Sequence, residues 1–127
     1  MTTGVDFLKE AQQLLGTARS SEIRCRTSIS RAYYGAFHTV SQIASRLGYK
    51  FDSSAGLGIH EHMIAWLRHH SNRSVRNLSS FLADMKGKRH RADYALHHRV
   101  EYHEAQEAVE TAAFMIDEVC SELGDGS

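Results

Sequence analysis

Apolar residues return every three or four positions along most of this sequence, which is the spacing of amphipathic α-helices. The clearest pattern predicts a long central helix from about Glu22 to Leu47, with a Ser20 or Ser21 cap and Gly48 as its stop. A glycine-rich loop follows over 49–58. The other patterns predict helices over 4–18 with a Thr2 or Thr3 cap, over 59–69, over 72–87 with a Ser71 or Asn72 cap, and over 99–123 with Gly124 as the stop.

The central helix combines an apolar face with a polar stripe. Arg24, Arg31, His38 and Ser45 recur every seven residues and therefore lie on nearly one line. At a rise of about 1.5 Å per residue, Arg31 and His38 are separated by about 10 Å along the axis. The face directed at the core comprises Ile29, Ala32, Tyr33, Ala36, Phe37, Val40, Ile43, Ala44 and Leu47, with Tyr34 expected at an interface.

The other predicted helices carry comparable apolar faces. Between Lys86 and His98 the apolar periodicity is lost, so we predict that Gly87 ends a helix and that a basic connector follows. The predicted core positions are Val5, Leu8, Ala11, Leu14, Leu15 and Ala18 in the first helix, Ile59, Met63, Trp66 and Leu67 in the third, Val75, Leu78, Leu82 and Met85 in the fourth, and Tyr102, Ala105, Ala108, Val109, Ala112, Met115, Ile116 and Val119 in the last.

The composition agrees with an all-α fold. The chain has no proline and is rich in residues that favour helices. A length of 127 residues suits one compact domain with a real core. We therefore predict a single antiparallel bundle of four main helices plus one short helix over residues 1–127, with a frayed tail from 123 to 127.

The charges balance over the whole chain but not locally. Lys plus Arg equals Asp plus Glu, at 15 each, so the net charge gives no argument for a nucleic acid or a membrane. The segment KGKRHR, residues 86–91, nevertheless carries four fixed positive charges. No segment approaches about 20 apolar residues and the N-terminus lacks a signal-peptide pattern. We expect a cytoplasmic protein in which Cys25 and Cys120 are reduced thiols.

Two segments carry a family resemblance. SISRAYYGAFHTVSQIASRLG, in the central helix, resembles the second helix of small prokaryotic HEPN-domain proteins. KRHRADYAL resembles the Arg-x-Ala-Asp-Tyr segment that precedes the last helix in the same proteins. With the order of the helices, the likeness extends from about Val5 to Leu123.

The resemblance implies an HEPN-like helical bundle that tends to form homodimers. The superfamily includes metal-independent ribonucleases, often toxins paired with a nucleotidyltransferase-like antitoxin, and non-catalytic modules that bind RNA or nucleotides. Its ribonucleases carry an Arg followed after four to six residues by a His, usually near the start of the last helix. This sequence offers Arg31 with His38 and Arg91 with His97. The second pair has the expected place, but Ala92 follows its Arg where a polar residue is usual.

Either pair supplies what metal-independent RNA cleavage requires. A base must remove the 2′-hydroxyl proton, an acid must protonate the leaving 5′-oxygen, and a cation must stabilise charge on the phosphate. A histidine performs either proton transfer and an Arg guanidinium binds phosphate oxygens bidentately. A two-fold dimer would supply a second set, so we place the site in a dimer cleft. The structural alternative pairs Arg31 with an acidic residue of another helix and gives His38 only a hydrogen bond at the bundle edge.

Further residues have candidate roles in binding RNA. Lys86, Lys88 and Arg89 can contact the phosphate backbone, and Tyr34 can stack on a base. The alternative is that this short charged run is simply a solvated surface. For Asp93 and Tyr94 we favour structural roles, in which Asp93 holds an arginine across the bundle and Tyr94 packs at its end.

The sequence does not indicate a metal or a cofactor. His60 and His62 are two positions apart and the remaining histidine pairs are adjacent, so a helix would not present either arrangement to one ion. The glycine-rich loop lacks the preceding strand of a phosphate-binding loop. We expect neither a metal nor a cofactor.

Three hypotheses follow from these patterns. The first is a metal-independent endoribonuclease of the HEPN type, acting as a toxin or defence component at a dimer cleft. The second is a non-catalytic HEPN module that binds RNA, a nucleotide or a partner protein. The third is a structural dimerising bundle that serves as an adaptor or antitoxin.

Overall fold

The computed structural model describes residues 1–123 as five α-helices and one 3₁₀ turn, with no strand in that range. The predicted all-α bundle is confirmed, with α3 as its short helix. The predicted stop at Gly124 and the predicted tail after Leu123 lie outside the described residues. The helices are α1 (Gly4–Leu15), α2 (Glu22–Arg46), α3 (Ile59–Arg68), α4 (Arg73–Tyr94) and α5 (Tyr102–Glu122), and the 3₁₀ turn is Ser53–Ala55.

Side-chain caps fix where the helices begin. Thr3 and Asp6 form a capping box, in which each side chain accepts a hydrogen bond from the backbone of the other. These bonds lower the pKa of Asp6. Ser21 caps α2 through the N–H of Arg24, and Asn72 caps α4. The predicted caps therefore satisfy backbone donors that the helices leave free.

Helix α2 is the centre of the bundle. It packs against α1, α4 and α5, while α3 packs on α4. Its predicted apolar face is buried from Ile29 to Ala44, and Tyr33 is completely enclosed. The four residues of the polar stripe are all exposed. The remaining predicted core positions of α4 and α5 are buried, except for the half-buried Tyr102.

Three predicted core residues are exposed instead. Val5, Leu47 and Ile59 lie at or next to a helix end, where the neighbouring helices no longer cover them. The first helix is also shorter than predicted, because it ends at Leu15 and the chain turns at Gly16 before Ala18 enters the core. Gly48 stops α2 as predicted, with a positive φ of 102°.

The predicted basic connector is wrong. Helix α4 continues through Gly87 to Tyr94, and α5 begins at Tyr102 instead of Arg99. Met85 and Ala92, seven residues apart, are both buried, so the apolar side of α4 does continue through the basic run. One glycine costs a helix only about 1 kcal/mol, which this packing outweighs. The irregular connector is confined to residues 95–101.

Helices α1 and α2 approach each other closely at Gly4. A Cβ at this position would lie 2.2 Å from Thr39 Oγ1 and 2.6 Å from the carbonyl oxygen of Gly35. The Gly4→Ala variant is therefore expected to lose about 1–3 kcal/mol of unfolding free energy, because the helices must move apart. Urea unfolding of the variant beside the wild type measures this loss. An unchanged stability would contradict the close approach.

Gly87 is the matched opposite case, since nothing lies within 4 Å of a Cβ placed there. It sits in the interior of α4, so Gly87→Ala is expected to raise the unfolding free energy by about 0.5–1 kcal/mol. The same urea experiment detects the gain. A loss of stability would instead be the result expected for a glycine that ends the helix, as the sequence alone suggested.

Neither cysteine forms a disulfide. Cys25 is buried and its Sγ donates to the carbonyl oxygen of Ala18, while Cys120 is exposed. Burial raises the pKa of the Cys25 thiol. Among residues 1–123, the structure contains no helix that combines the length and the apolar character needed to cross a membrane.

Candidate functional site

Side chains of three helices form one aromatic and basic surface, which we call the α2–α4 surface. The residues of α2 come from the exposed polar stripe and the tyrosine beside it. His60 of α3 and Arg89 of α4 contact the same tyrosine. The surface consists of Arg31, Tyr34 and His38 of α2, His60 of α3, and Lys86 and Arg89 of α4.

Arg31 and His38 are exposed and have no polar partner within the described chain. The His38 ring lies against the rings of Phe7 and Tyr34, with centroid distances of 5.1 Å and 6.0 Å. Neither residue makes an ion pair or a side-chain hydrogen bond with any of residues 1–123. The predicted structural alternative, in which both have partners in the bundle, is therefore absent from this part of the chain. Their guanidinium and imidazole groups face solvent beside an aromatic platform.

A buried tyrosine holds His60 below this platform. The hydroxyl of Tyr33 is 2.6 Å from Nδ1 of His60, and the two rings stack at a centroid distance of 5.5 Å. Burial raises the pKa of Tyr33, so the phenol stays protonated. Burial also lowers the pKa of His60, and the positive charges of Arg89 and Lys86 add to the effect. A neutral His60 that accepts from Tyr33 at Nδ1 fits both shifts.

Arg89 joins α4 to both tyrosines of α2. Its guanidinium carbon lies 5.5 Å from the Tyr33 ring centroid and 5.7 Å from that of Tyr34, and Nη1 is 3.4 Å from the Tyr34 hydroxyl. Its side chain is only 14% exposed. Little of the Arg89 side chain is therefore open to the RNA contact that the sequence predicted.

Asp93 has a different arginine partner from the one predicted. It pairs with Arg89 one turn earlier on its own helix, at 3.5 Å, and accepts a hydrogen bond from the Ser30 hydroxyl across the bundle. The Nε atom of Arg89 is buried without an acceptor in the described residues. Tyr94 is 65% exposed and its ring lies against His90, so it does not pack into the end of the bundle.

The two lysines of the basic run have carboxylate partners. Lys86 pairs with Glu61 of α3, and Lys88 pairs with Asp84 one turn earlier on α4 at 3.7 Å. Burial of these groups is partial, and pairs between exposed groups are worth about 0–1 kcal/mol. A phosphate backbone can compete for such lysines, but the local charge is smaller than the sequence suggests.

The structure does not join Arg91 to His97. Arg91 is exposed in the last turn of α4, and His97 is exposed in the 95–101 connector. No hydrogen bond links them among the described residues. Arg91 instead borders a pocket with Lys88, His98 and Glu104.

The sequence analysis missed a buried arginine that bonds the backbone of Arg91, Ala92 and His98. Arg26 is 6% exposed, and its guanidinium donates to backbone oxygens at the end of α4 and in the connector. Nη1 is 2.9 Å from the carbonyl oxygen of Ala92 and 3.3 Å from that of Arg91. Nη2 donates to the carbonyls of Ala95 and His98. One cation therefore satisfies carbonyls at the negative end of a helix dipole.

Glu22 completes this arrangement. Its Oε2 accepts from the backbone N–H of Val100 at 2.7 Å and pairs with Arg26 at 3.4 Å. The Val100 bond, followed by the charge of Arg26, lowers the pKa of Glu22. A signal was present in the sequence, because residue 26 lies three positions before Ile29 and seven before Tyr33, on the core face of α2. A charged residue there requires a buried partner.

The environment of His60 predicts a pH dependence of stability. The groups that face it are Arg89, Lys86, His38 and Glu61, and only Glu61 favours its protonation. Its folded pKa lies below the ordinary value of about 6.5, so the unfolded chain binds the proton more readily and stability falls as pH falls through that range. Unfolding free energies at about pH 7.5 and 5.5 should differ less in His60→Gln than in the wild type. An equal difference in both proteins would contradict the shift.

The histidines of α3 do not form a metal site with the residues that the structure describes. Within residues 1–123, no group of three or more His, Cys, Asp or Glu side chains is arranged to hold an ion. His60 is bonded to Tyr33, and Nδ1 of His62 is bonded to the hydroxyl of Tyr49 at 2.9 Å. These two histidines thus act as partners of buried tyrosines.

Comparisons with known proteins give no direct guide to what this site does. The chain matches no protein-family model, no curated protein and no solved structure. The chemistry of the α2–α4 surface is therefore the basis for the function proposed below.

Proposed function

We propose that this protein is a metal-independent endoribonuclease whose active site is the α2–α4 surface. The observation that carries the proposal is that a cation, Arg31, and a histidine, His38, lie on one exposed helix face and neither has a polar partner in the described residues. Tyr34 lies between them along the helix, and its hydroxyl accepts a hydrogen bond from Arg89. The resemblance of this helix to HEPN proteins supports the same assignment.

The residues divide the reaction between them. Arg31 binds the scissile phosphate, and Tyr34 with the adjacent Phe7 offers a stacking platform for a neighbouring base. His38 removes the 2′-hydroxyl proton, after which the 2′-oxygen attacks phosphorus. The leaving 5′-oxygen takes a proton from a second acid. The products are a 2′,3′-cyclic phosphate and a 5′-hydroxyl, so atoms and charge balance without a metal.

The second acid points to a homodimer. His60 is half-buried and committed to Tyr33, which leaves His38 as the exposed histidine of the α2–α4 surface. A two-fold arrangement of two such surfaces would place His38 of the partner subunit as the acid. In this proposal the monomer binds RNA and the dimer cleaves it.

A second function, a non-catalytic binding module, rests on the same observation. One chain supplies a single exposed histidine at this surface, which is enough to bind a phosphate or a nucleotide but not for both proton transfers. Such a module would bind RNA, a nucleotide or a partner protein and release no product. In a toxin system, a nucleotidyltransferase-like antitoxin is the partner that the HEPN resemblance suggests.

RNA incubation in excess EDTA separates these functions. The purified protein is mixed with a structured RNA, and the ends of any fragments are identified. Fragments with 2′,3′-cyclic phosphate ends support the ribonuclease. Intact RNA with salt-sensitive binding supports the module, because each phosphate contact adds a salt-dependent contribution to affinity. Intact RNA without binding contradicts both the ribonuclease and a module that binds RNA.

A further inference from the structure

A second surface lies on the N-terminal half of α4 and shares no residue with the α2–α4 surface. Helices α4 and α5 contact each other little, and a groove opens between them. Its floor includes the buried Leu78 and Val119. Phe81 and Phe114 stand on its two sides, 38% and 59% exposed. Two phenylalanines exposed beside one apolar floor indicate an interaction surface.

The size of the groove favours a side chain of a partner over a small molecule. Its volume is about 270 Å³, below the about 300–1,000 Å³ of most ligand pockets. It has room for one or two large apolar side chains. An amphipathic helix docks in this way, by placing residues from one face into an apolar groove.

The charge of α5 indicates which kind of partner helix would fit the groove. Glu118 and Glu122 line the groove. The sequence of α5 contains no Lys or Arg, and its acidic residues are Glu104, Glu107, Glu110, Asp117, Glu118 and Glu122. A basic helix complements this edge, whereas a second copy docked symmetrically would bring two acidic α5 helices together at a cost in affinity.

We propose that the α4–α5 groove, defined by Leu78, Phe81, Phe114, Glu118, Val119 and Glu122, docks a basic amphipathic helix of a partner protein. The apolar face of that helix covers the two phenylalanines. Its Lys or Arg residues pair with Glu118 and Glu122. This inference does not depend on the ribonuclease proposal, because it uses a different surface and a different chemistry.

A designed peptide serves as the probe. It is a Leu/Lys helix of about 15 residues, with leucines spaced to form one stripe, labelled for fluorescence anisotropy. A scrambled peptide of the same composition lacks the stripe and controls for attraction by charge alone. The full-length protein is titrated against each peptide at low and high salt.

Two pairs of substitutions locate the binding. Phe81→Ala with Phe114→Ala is expected to weaken binding of the amphipathic peptide at least about tenfold. Glu118→Gln with Glu122→Gln is expected to weaken it about two- to tenfold at low salt and to flatten its salt dependence. These glutamates are exposed, so that variant keeps the fold. The control, Glu107→Gln with Glu110→Gln on the same helix, should stay within about twofold of the wild type.

The outcomes are decisive in either direction. Tight binding of the striped peptide that depends on both substituted pairs supports the groove. Equal binding of the scrambled peptide, no binding of either peptide, or binding unaffected by the phenylalanine pair overturns it. A homodimer that dissociates in the phenylalanine variant also overturns it, because the occupant would then be a second copy of this chain.

Discussion

The His38→Ala variant is expected to cleave RNA at least about 10²–10⁴-fold more slowly than the wild type, because its dimer lacks both the base at the 2′-oxygen and the acid at the 5′-oxygen. The effect on folding should be small. His38 is exposed and makes no hydrogen bond with the described residues, so the variant loses only its ring contacts with Phe7, Tyr34 and Phe37. Initial rates with a defined RNA in excess EDTA, beside a thermal melt of each protein, measure both effects.

Matched variants identify which Arg–His pair acts. Arg31→Ala should also slow cleavage and flatten the salt dependence of RNA binding, because it removes a phosphate contact. His97→Ala provides the comparison, since His97 is equally exposed but lies in the connector. A normal rate in His38→Ala together with a loss in His97→Ala would transfer the active site to Arg91 and His97. Equal loss in all three variants would indicate that both regions contribute.

The Arg26→Met variant is expected to lose about 3–5 kcal/mol of unfolding free energy. Methionine fills part of the same space but donates no hydrogen bond, so the carbonyls at the end of α4 and in the connector lose their shared donor. Each buried carbonyl left without a partner costs about 1–3 kcal/mol, less where water can enter. Glu22 also loses its cation. Urea unfolding followed by circular dichroism gives the loss directly.

The control for the buried Arg26 is Arg24, which lies two positions earlier on the exposed stripe. Arg24→Met removes the same charge from the same helix at an exposed position, and its effect should stay within about 0.5 kcal/mol. Arg26→Lys keeps the charge but cannot reach all four carbonyls, so we expect an intermediate loss. If Arg26→Met and Arg24→Met unfold at the same urea concentration, the buried guanidinium does not hold the end of α4.

The periodicity of the sequence predicted those parts of the fold that depend on residues close together in the chain. The apolar face of α2, the caps at Thr3, Ser21 and Asn72, and the stop at Gly48 depend on local spacing and local hydrogen bonds. The end of α4 does not. Its basic run has little local periodicity, and it remains helical because Met85 and Ala92 pack inward and Arg26 holds its last carbonyls.

The candidate site was predictable only in part, for the same reason. A seven-residue spacing places Arg31 and His38 on one line of a single helix, so the sequence alone was sufficient to place these two residues on one face. The contacts of His60 with Tyr33 and of Arg89 with Tyr34 join different helices. They depend on how those helices are rotated about their axes, which the spacing of residues in one helix does not determine.

The measurement that tests most directly whether the α2–α4 surface binds RNA, as we propose, is a nuclear magnetic resonance titration in excess EDTA. The ligand is a single-stranded RNA with 2′-O-methyl groups, which binds but cannot form a cyclic phosphate. We expect the largest amide shifts at residues 31–38 of α2 and 86–93 of α4. Shifts confined to the 95–101 connector, or no shifts at all, would contradict the assignment of this surface.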